Sequence, residues 1–297
     1  MPKKRGKFFY SACLVLGFIT MTVFLALGTA LSTFEDIWQK QGRVESTKYE
    51  FFISHFIGGA RNKIIQSGTA PDTWYVQLLT GIDRWAYERA IKKVPENNFE
   101  RLFWHYKRFV EPKISLPKER YREALPFLVH DAVDKLSVID EYEITSPADR
   151  DVYYPKIVNT YSSYIVGYGE EYITNNYSER LSLALNKTCD IARKIDLEKI
   201  KQYDLDSYLD GVFWIMSRSY NRLTSAISQD DRGCSSALAQ CWLDTSNCVS
   251  QFLIQDNQLA SYLQGSSKTS DSYKAFIRYY QHEDSYNRER IANKCAL

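Results

Sequence analysis

The sequence predicts an all-α chain in which a single N-terminal transmembrane helix carries an exported multi-helix domain. Three observations lead there. Phe8 to Leu31 is a run of 24 residues without Asp, Glu, Lys, Arg or His. Beyond it, apolar residues recur at spacings of three and four, the period of an α-helix with one buried face. Only 13 Gly and 8 Pro occur among 297 residues, and no Pro-, Ser- or Gln-dominated stretch is present, which argues against long disordered segments.

As a helix the apolar run would reach about 36 Å, enough to cross a hydrocarbon core of about 30 Å with some tilt. Lys3, Lys4, Arg5 and Lys7 precede it, whereas Glu35 and Asp36 are the first charges after it. The positive-inside rule then keeps residues 1–7 cytoplasmic and puts everything past Leu31 outside. Gly28-Thr29-Ala30 also fits a signal-peptidase site cut after Ala30, which would release a secreted helical protein. Cleavable apolar regions run about 7 to 15 residues, so the length favours a retained signal anchor. No second stretch approaches membrane length, and the expected topology is single-pass.

The exported part divides on this reading into a membrane-proximal helical region, 32–145, and a C-terminal helical region, 146–297. Ile37, Val44, Phe51 and Ile65 fall on a seven-residue step, but Lys48 and His55 interrupt the second apolar position, which predicts an amphipathic helix and no long coiled coil. Gly58-Gly59 weakens that helix, and Ser67 to Asp72 reads as a turn with Asp72 as N-cap of a helix over 73–94. Pro95 ends it. Asn98 then opens the clearest amphipathic segment, with Phe99, Leu102, Phe103, Tyr106, Phe109 and Val110 as a core-facing stripe.

Pro112, Pro117 and Pro126 break the next stretch, and helical spacing resumes over 127–142. Residues 153–173 are rich in β-branched and aromatic side chains, which admits a short hairpin. From Tyr177 the helical pattern returns and continues to Cys295, interrupted by the linker Gly265 to Asp271.

Charge narrows the function. The chain holds 38 basic and 36 acidic side chains; four bases and no acid lie in the first 31 residues, so the remainder is slightly acidic. Both signs alternate along it, as in Glu119-Arg120-Tyr121-Arg122-Glu123, which describes solvated helix faces and no nucleic-acid surface. Five cysteines follow the apolar run: Cys189, Cys234, Cys241, Cys248 and Cys295. Cys234, Cys241 and Cys248 are seven apart, about 10 Å per step on a continuous helix and beyond disulfide reach. A bridge from Cys248 to Cys241 or Cys234 therefore requires a bend at Asp244–Asn247. The spacing is wrong for zinc. Asn176-Tyr-Ser and Asn186-Lys-Thr are glycosylation triplets.

Catalytic patterns are sparse. Val166-Gly167-Tyr168-Gly169-Glu170 has the order of a potassium-filter loop, but Ile165 stands where such a loop has Thr and no membrane-length helices flank it. His130, Asp131 and Asp134 could share a helical turn, without the second His of a zincin. Glu88, Glu100, Glu170 and Glu171 are the acids through which an anchored cell-wall glycan hydrolase would act. No Gly-x-Ser-x-Gly elbow or phosphate loop is present. With no catalytic residue, metal ligand or cofactor to assign, the expectation is a single-pass, non-catalytic interaction or assembly subunit of a cell-envelope complex, of the kind serving secretion or conjugation. Its partners are then the lipid bilayer and other envelope proteins.

Overall fold

In the computed structural model the described residues are 28–36, 38–39, 43–114, 116–194, 205–229, 236–255, 257–265 and 270–295. Of these, 88 % are helical and none forms a strand. Residues 8–27 of the apolar run lie outside the described set; within it, no helix is long and apolar enough to cross a membrane. The chain forms two compact units, Met1–Glu96 and Asn97–Leu297. Residue 143 is tied to the start of the second unit. Glu143 N–H donates to the Asn97 carbonyl at 2.6 Å, and Phe99 N–H donates to the Glu143 carbonyl at 3.1 Å.

The first unit is built on a hairpin of α1 (Lys48–Gln66) and α2 (Trp74–Ile91). Gly58 and Gly59 do not interrupt α1, since packing against α2 outweighs a propensity deficit of about 1 kcal/mol per glycine. Its end is a Schellman motif: Gly68, at φ +98°, donates to Ile65, and Thr69 donates to Ile64. Thr73, not Asp72, occupies the N-cap of α2, and its carbonyl accepts from Gln77 at 3.0 Å. Trp38, Phe51, Val76, Ala86 and Ala90 form the buried apolar set.

In the second unit α3 (Phe99–His105) starts at Asn98, whose side chain accepts from Glu100 N–H at 2.8 Å. A π-helical turn, Tyr106–Val110, leads into α4 (Glu111–Ile114). Pro112 has no N–H for the Arg108 carbonyl, and a wider turn at that point accommodates the gap. Phe99, Leu102, Phe103, Tyr106 and Val110 are buried, as their spacing predicts, while Phe109 is half-buried.

α5 (Lys118–Ser137) follows the helix-starting Pro117 and runs through Pro126 instead of breaking there. Pro126 is exposed, so water can satisfy the carbonyl it leaves unpaired.

The hairpin admitted over 153–173 is a helix: a π turn, Asp149–Tyr153, precedes Pro155, and α6 spans Tyr154–Tyr172. Ile157, Val158, Tyr161, Tyr164, Ile165 and Val166 are all buried, and α5, α7 (Tyr177–Lys194) and α8 (Leu205–Gln229) pack around them. A helix enclosed on several sides loses the polar stripe that marks an amphipathic one. Its β-branched run therefore reads as strand, and burial overrides that propensity.

The filter-like glycines serve packing. A Cβ on Gly167 would lie 3.1 Å from the Trp214 ring of α8, and one on Gly169 would lie 2.7 Å from the Tyr177 ring. Arg222 of α8 donates to the Gly167 carbonyl and to the Tyr177 hydroxyl, both at 3.1 Å.

The remaining helices are α9 (Ser236–Val249), a π turn Ser250–Gln255, α10 (Asn257–Gly265) and α11 (Ser270–Cys295). The Trp242 indole of α9 donates to Thr224 of α8 at 2.8 Å. Tyr273 of α11 donates to the Leu253 carbonyl at 2.6 Å. Phe213, Tyr220, Phe276 and Tyr280 interlock edge-on or tilted between α8 and α11.

Two predictions follow from this packing. Gly169→Ala should destabilise the protein by about 1–3 kcal/mol through overpacking, whereas Gly59→Ala, with open space around it, should stabilise by about 0.5–1 kcal/mol. Urea midpoints measure both. Burial pushes the Tyr106 and Tyr121 hydroxyls up to about 12 from an ordinary 10, and raises those of Tyr154, Tyr161, Tyr164 and Tyr220 as well. The folded state holds these protons where the unfolded chain releases them. Their contribution is complete below pH 10 and is lost as pH rises through about 12. The share of tyrosinate absorbance contributed by these six should accordingly appear together with loss of helical circular dichroism, not ahead of it.

Candidate functional site

Three aspartates join helices, two of them buried and Asp284 partly so. In the first unit Asp83 of α2 is 2 % exposed and accepts from Ser54 at 2.7 Å and Arg61 at 2.8 Å, both on α1. In the second, Asp131 of α5 pairs with His105 Nε2 of α3 at 2.8 Å and accepts from the Tyr161 hydroxyl of α6 at 3.2 Å. Burial first, and the neighbouring Asp131 carboxylate second, push ionisation of Tyr161 far up, so it acts as a donor. Asp284 of α11 accepts from Ser246 of α9 at 2.5 Å, Tyr220 of α8 at 3.3 Å and Arg288 at 2.7 Å. Tyr280 adds a bond to the Ser246 carbonyl at 2.9 Å.

The sequence grouped Asp131 with His130 and Asp134. The helix separates them: His130 and Asp134, four apart, are exposed, whereas Asp131 faces inward to His105. Among the described residues no group of three His, Cys, Asp or Glu side chains could hold a metal ion. The four candidate hydrolase acids have different surroundings. Glu100 is 3 % exposed and accepts from the Trp104 indole at 3.1 Å. Glu170 is largely exposed and lies 3.5 Å from Arg222. Glu171 hydrogen-bonds Tyr172, and Glu88 lies on the exposed face of α2 in the other unit.

Cys248 is bridged to Cys189, 59 residues away, with Cα atoms 6.1 Å apart. Cys248 is therefore not open to Cys241 or Cys234, and α9 continues as helix through Asp244–Asn247, which keeps Cys241 two turns from Cys248. Cys234 lies outside the described residues. Cys241 is a buried thiol, pushed up to about 11 by burial and hydrogen-bonded to Ser182. Ser182 and Cys189 are seven apart on α7, as Cys241 and Cys248 are on α9. The two helices therefore run parallel and meet at two levels, one bridged and one reduced. Asn176, at φ +57°, is exposed before α7, and Asn186 is exposed on α7.

One surface feature escaped the sequence reading. Val76, Asp83, Ala86 and Ala90 form the inner face of α2. Its outer face carries Trp74, Leu78, Ile82 and Trp85, which are 73, 55, 36 and 54 % exposed. They follow one another at steps of four, four and three, so they make one continuous stripe. The signal was a second apolar stripe on a helix whose first stripe already faced a partner. Exposed contiguous apolar patches of this kind mark interaction sites. The stripe is the candidate functional site.

Cutting the bridge with Cys189→Ala should cost about 2–5 kcal/mol, given the length of chain it closes. Ser182→Cys should form a second disulfide to Cys241, seen as loss of one alkylatable thiol by mass spectrometry. Compared with protein-family models, curated proteins and solved structures, the chain matches none.

Proposed function

We propose that this chain is a single-pass, membrane-anchored assembly subunit of a cell-envelope complex, non-catalytic and exposed outside the cytoplasm. The observation that carries the reading is the apolar stripe on α2, which stays largely exposed to solvent among the described residues. Two features support the compartment. The basic head and the uncharged run of residues 8–31 have the pattern of a signal anchor. A disulfide between Cys189 and Cys248 belongs to an oxidising environment. The three aspartate clusters support a non-catalytic role, because each carboxylate is engaged in joining helices.

A reporter fused after Leu297 and crosslinked recovery from membranes test the two halves of the proposal. An extracytoplasmic reporter and a high-mass crosslinked species, reduced in Trp74→Ala and Trp85→Ala variants, are expected. A cytosolic reporter removes the compartment. Recovery of unlinked chain alone, with the disulfide intact, removes the assembly role.

A further inference from the structure

The outer face of α2 has a residue that its own fold does not explain. Gly81 sits in mid-helix, exposed, between Leu78, Ile82 and Trp85, and a Cβ there would have nothing within 4 Å. Glycine in a helix interior is unfavourable relative to alanine, so a position with free space would ordinarily favour a larger residue. A glycine inside an apolar stripe makes a notch through which another backbone can approach closely.

The charges around the stripe are asymmetric. Asp72 is exposed at its N-terminal end, whereas Arg84 and Lys92 are exposed at its C-terminal end, beside Glu88 and beside Arg89, which lies 3.5 Å from Glu50 and against the Trp85 ring. A second stripe laid antiparallel brings the acidic end of one over the basic end of the other. It also opposes the helix dipoles favourably.

We propose that α2 docks on α2 of a second copy of this chain, antiparallel, with the two-fold axis passing at Gly81. The inference names a partner for the interface proposed above and rests on that reading of the stripe. With the axis at residue 81, position i of one copy lies level with position 162 minus i of the other. Trp85 then falls between Trp74 and Leu78 of the partner helix, and Leu78 falls between Ile82 and Trp85. The side chains interleave and do not collide, and Asp72 comes level with Ala90, between Arg89 and Lys92. The four apolar side chains expose on the order of 500 Å², so pairing covers on the order of 1,000 Å² in total, the lower end for a specific protein interface.

Cysteines introduced one at a time into the full-length chain, with Cys13, Cys234, Cys241 and Cys295 changed to Ser and the Cys189–Cys248 bridge kept, test this arrangement in purified detergent-solubilised protein. Oxidation should crosslink Gly81→Cys into a dimer on non-reducing gels. Gln77→Cys and Lys92→Cys, whose copies would be about 12 Å and 33 Å apart along the axis, should not crosslink with themselves. Parallel docking would crosslink all three positions and overturns the proposal. So does a failure of Gly81→Cys to crosslink when thermal unfolding shows the variant folded. Asp72→Lys should weaken the dimer at least fivefold by sedimentation equilibrium, and adding Lys92→Asp should restore it.

A lipid surface as occupant is the rival outcome. Brominated phospholipid in vesicles would then quench Trp74 and Trp85 while the protein sediments as a monomer in detergent, and that pair of results also overturns the proposal. The crosslinking is read in solution. A cytosolic reporter would remove the anchored reading while leaving the dimer result standing, so the two failures are distinguishable.

Discussion

The second unit depends on the enclosure of α6. A helix packed by α5, α7 and α8 must present small or flat surfaces wherever a neighbour comes close, and Gly167 and Gly169 supply them. Arg222 then reaches the Gly167 carbonyl and the Tyr177 hydroxyl, tying α8 to the end of α6 and the start of α7. The same enclosure explains the tyrosines. Tyr161 and Tyr164 fill space beside α3 and α5 as aromatic bodies, and their hydroxyls find partners because an unpaired buried hydroxyl would be unfavourable.

Around that centre, buried and half-buried carboxylates act as joints. Asp131 collects α3, α5 and α6, and Asp284 collects α8, α9 and α11. Asp83 does the same between α1 and α2 in the first unit. A buried charge is tolerated only where it is paired and hydrogen-bonded, and each of these is. Such joints set geometry more than they add stability, since desolvation offsets much of their attraction. Of the acid–base candidates chosen from sequence, Asp131 resolves into such a joint and Glu100 into a bond from Trp104, while Glu88, His130, Asp134 and Glu170 face solvent.

α2 differs from the buried helices in having two apolar faces and a partner for one. Its inner face meets α1, while Trp74, Leu78, Ile82 and Trp85 meet solvent. That imbalance makes the first unit the place to look for association. The disulfide, by contrast, belongs wholly to the second unit, where it pins one level of two parallel helices.

The sequence alone determined the all-helical character, the helix starts at Asn98 and Tyr177 and the aromatic core stripe of α3, because period and capping chemistry are local. Asn98 and the Ser67–Gly68 turn were legible for that reason, whereas the helix before Pro95 already ends at Ile91. Tertiary structure decided the rest. Whether residues 153–173 would be strand or helix turned on what surrounds them, and Pro126 was harmless only because its side of α5 faces water. Cys248 pairs with Cys189 because α7 and α9 lie side by side, a fact no spacing of seven contains. Asp131 left His130 for His105 because one residue on a helix turns the side chain by about 100°. The exposed stripe of α2 was written in the sequence, yet only packing shows which of its two apolar faces is covered, since periodicity records that a face is apolar and not what lies against it.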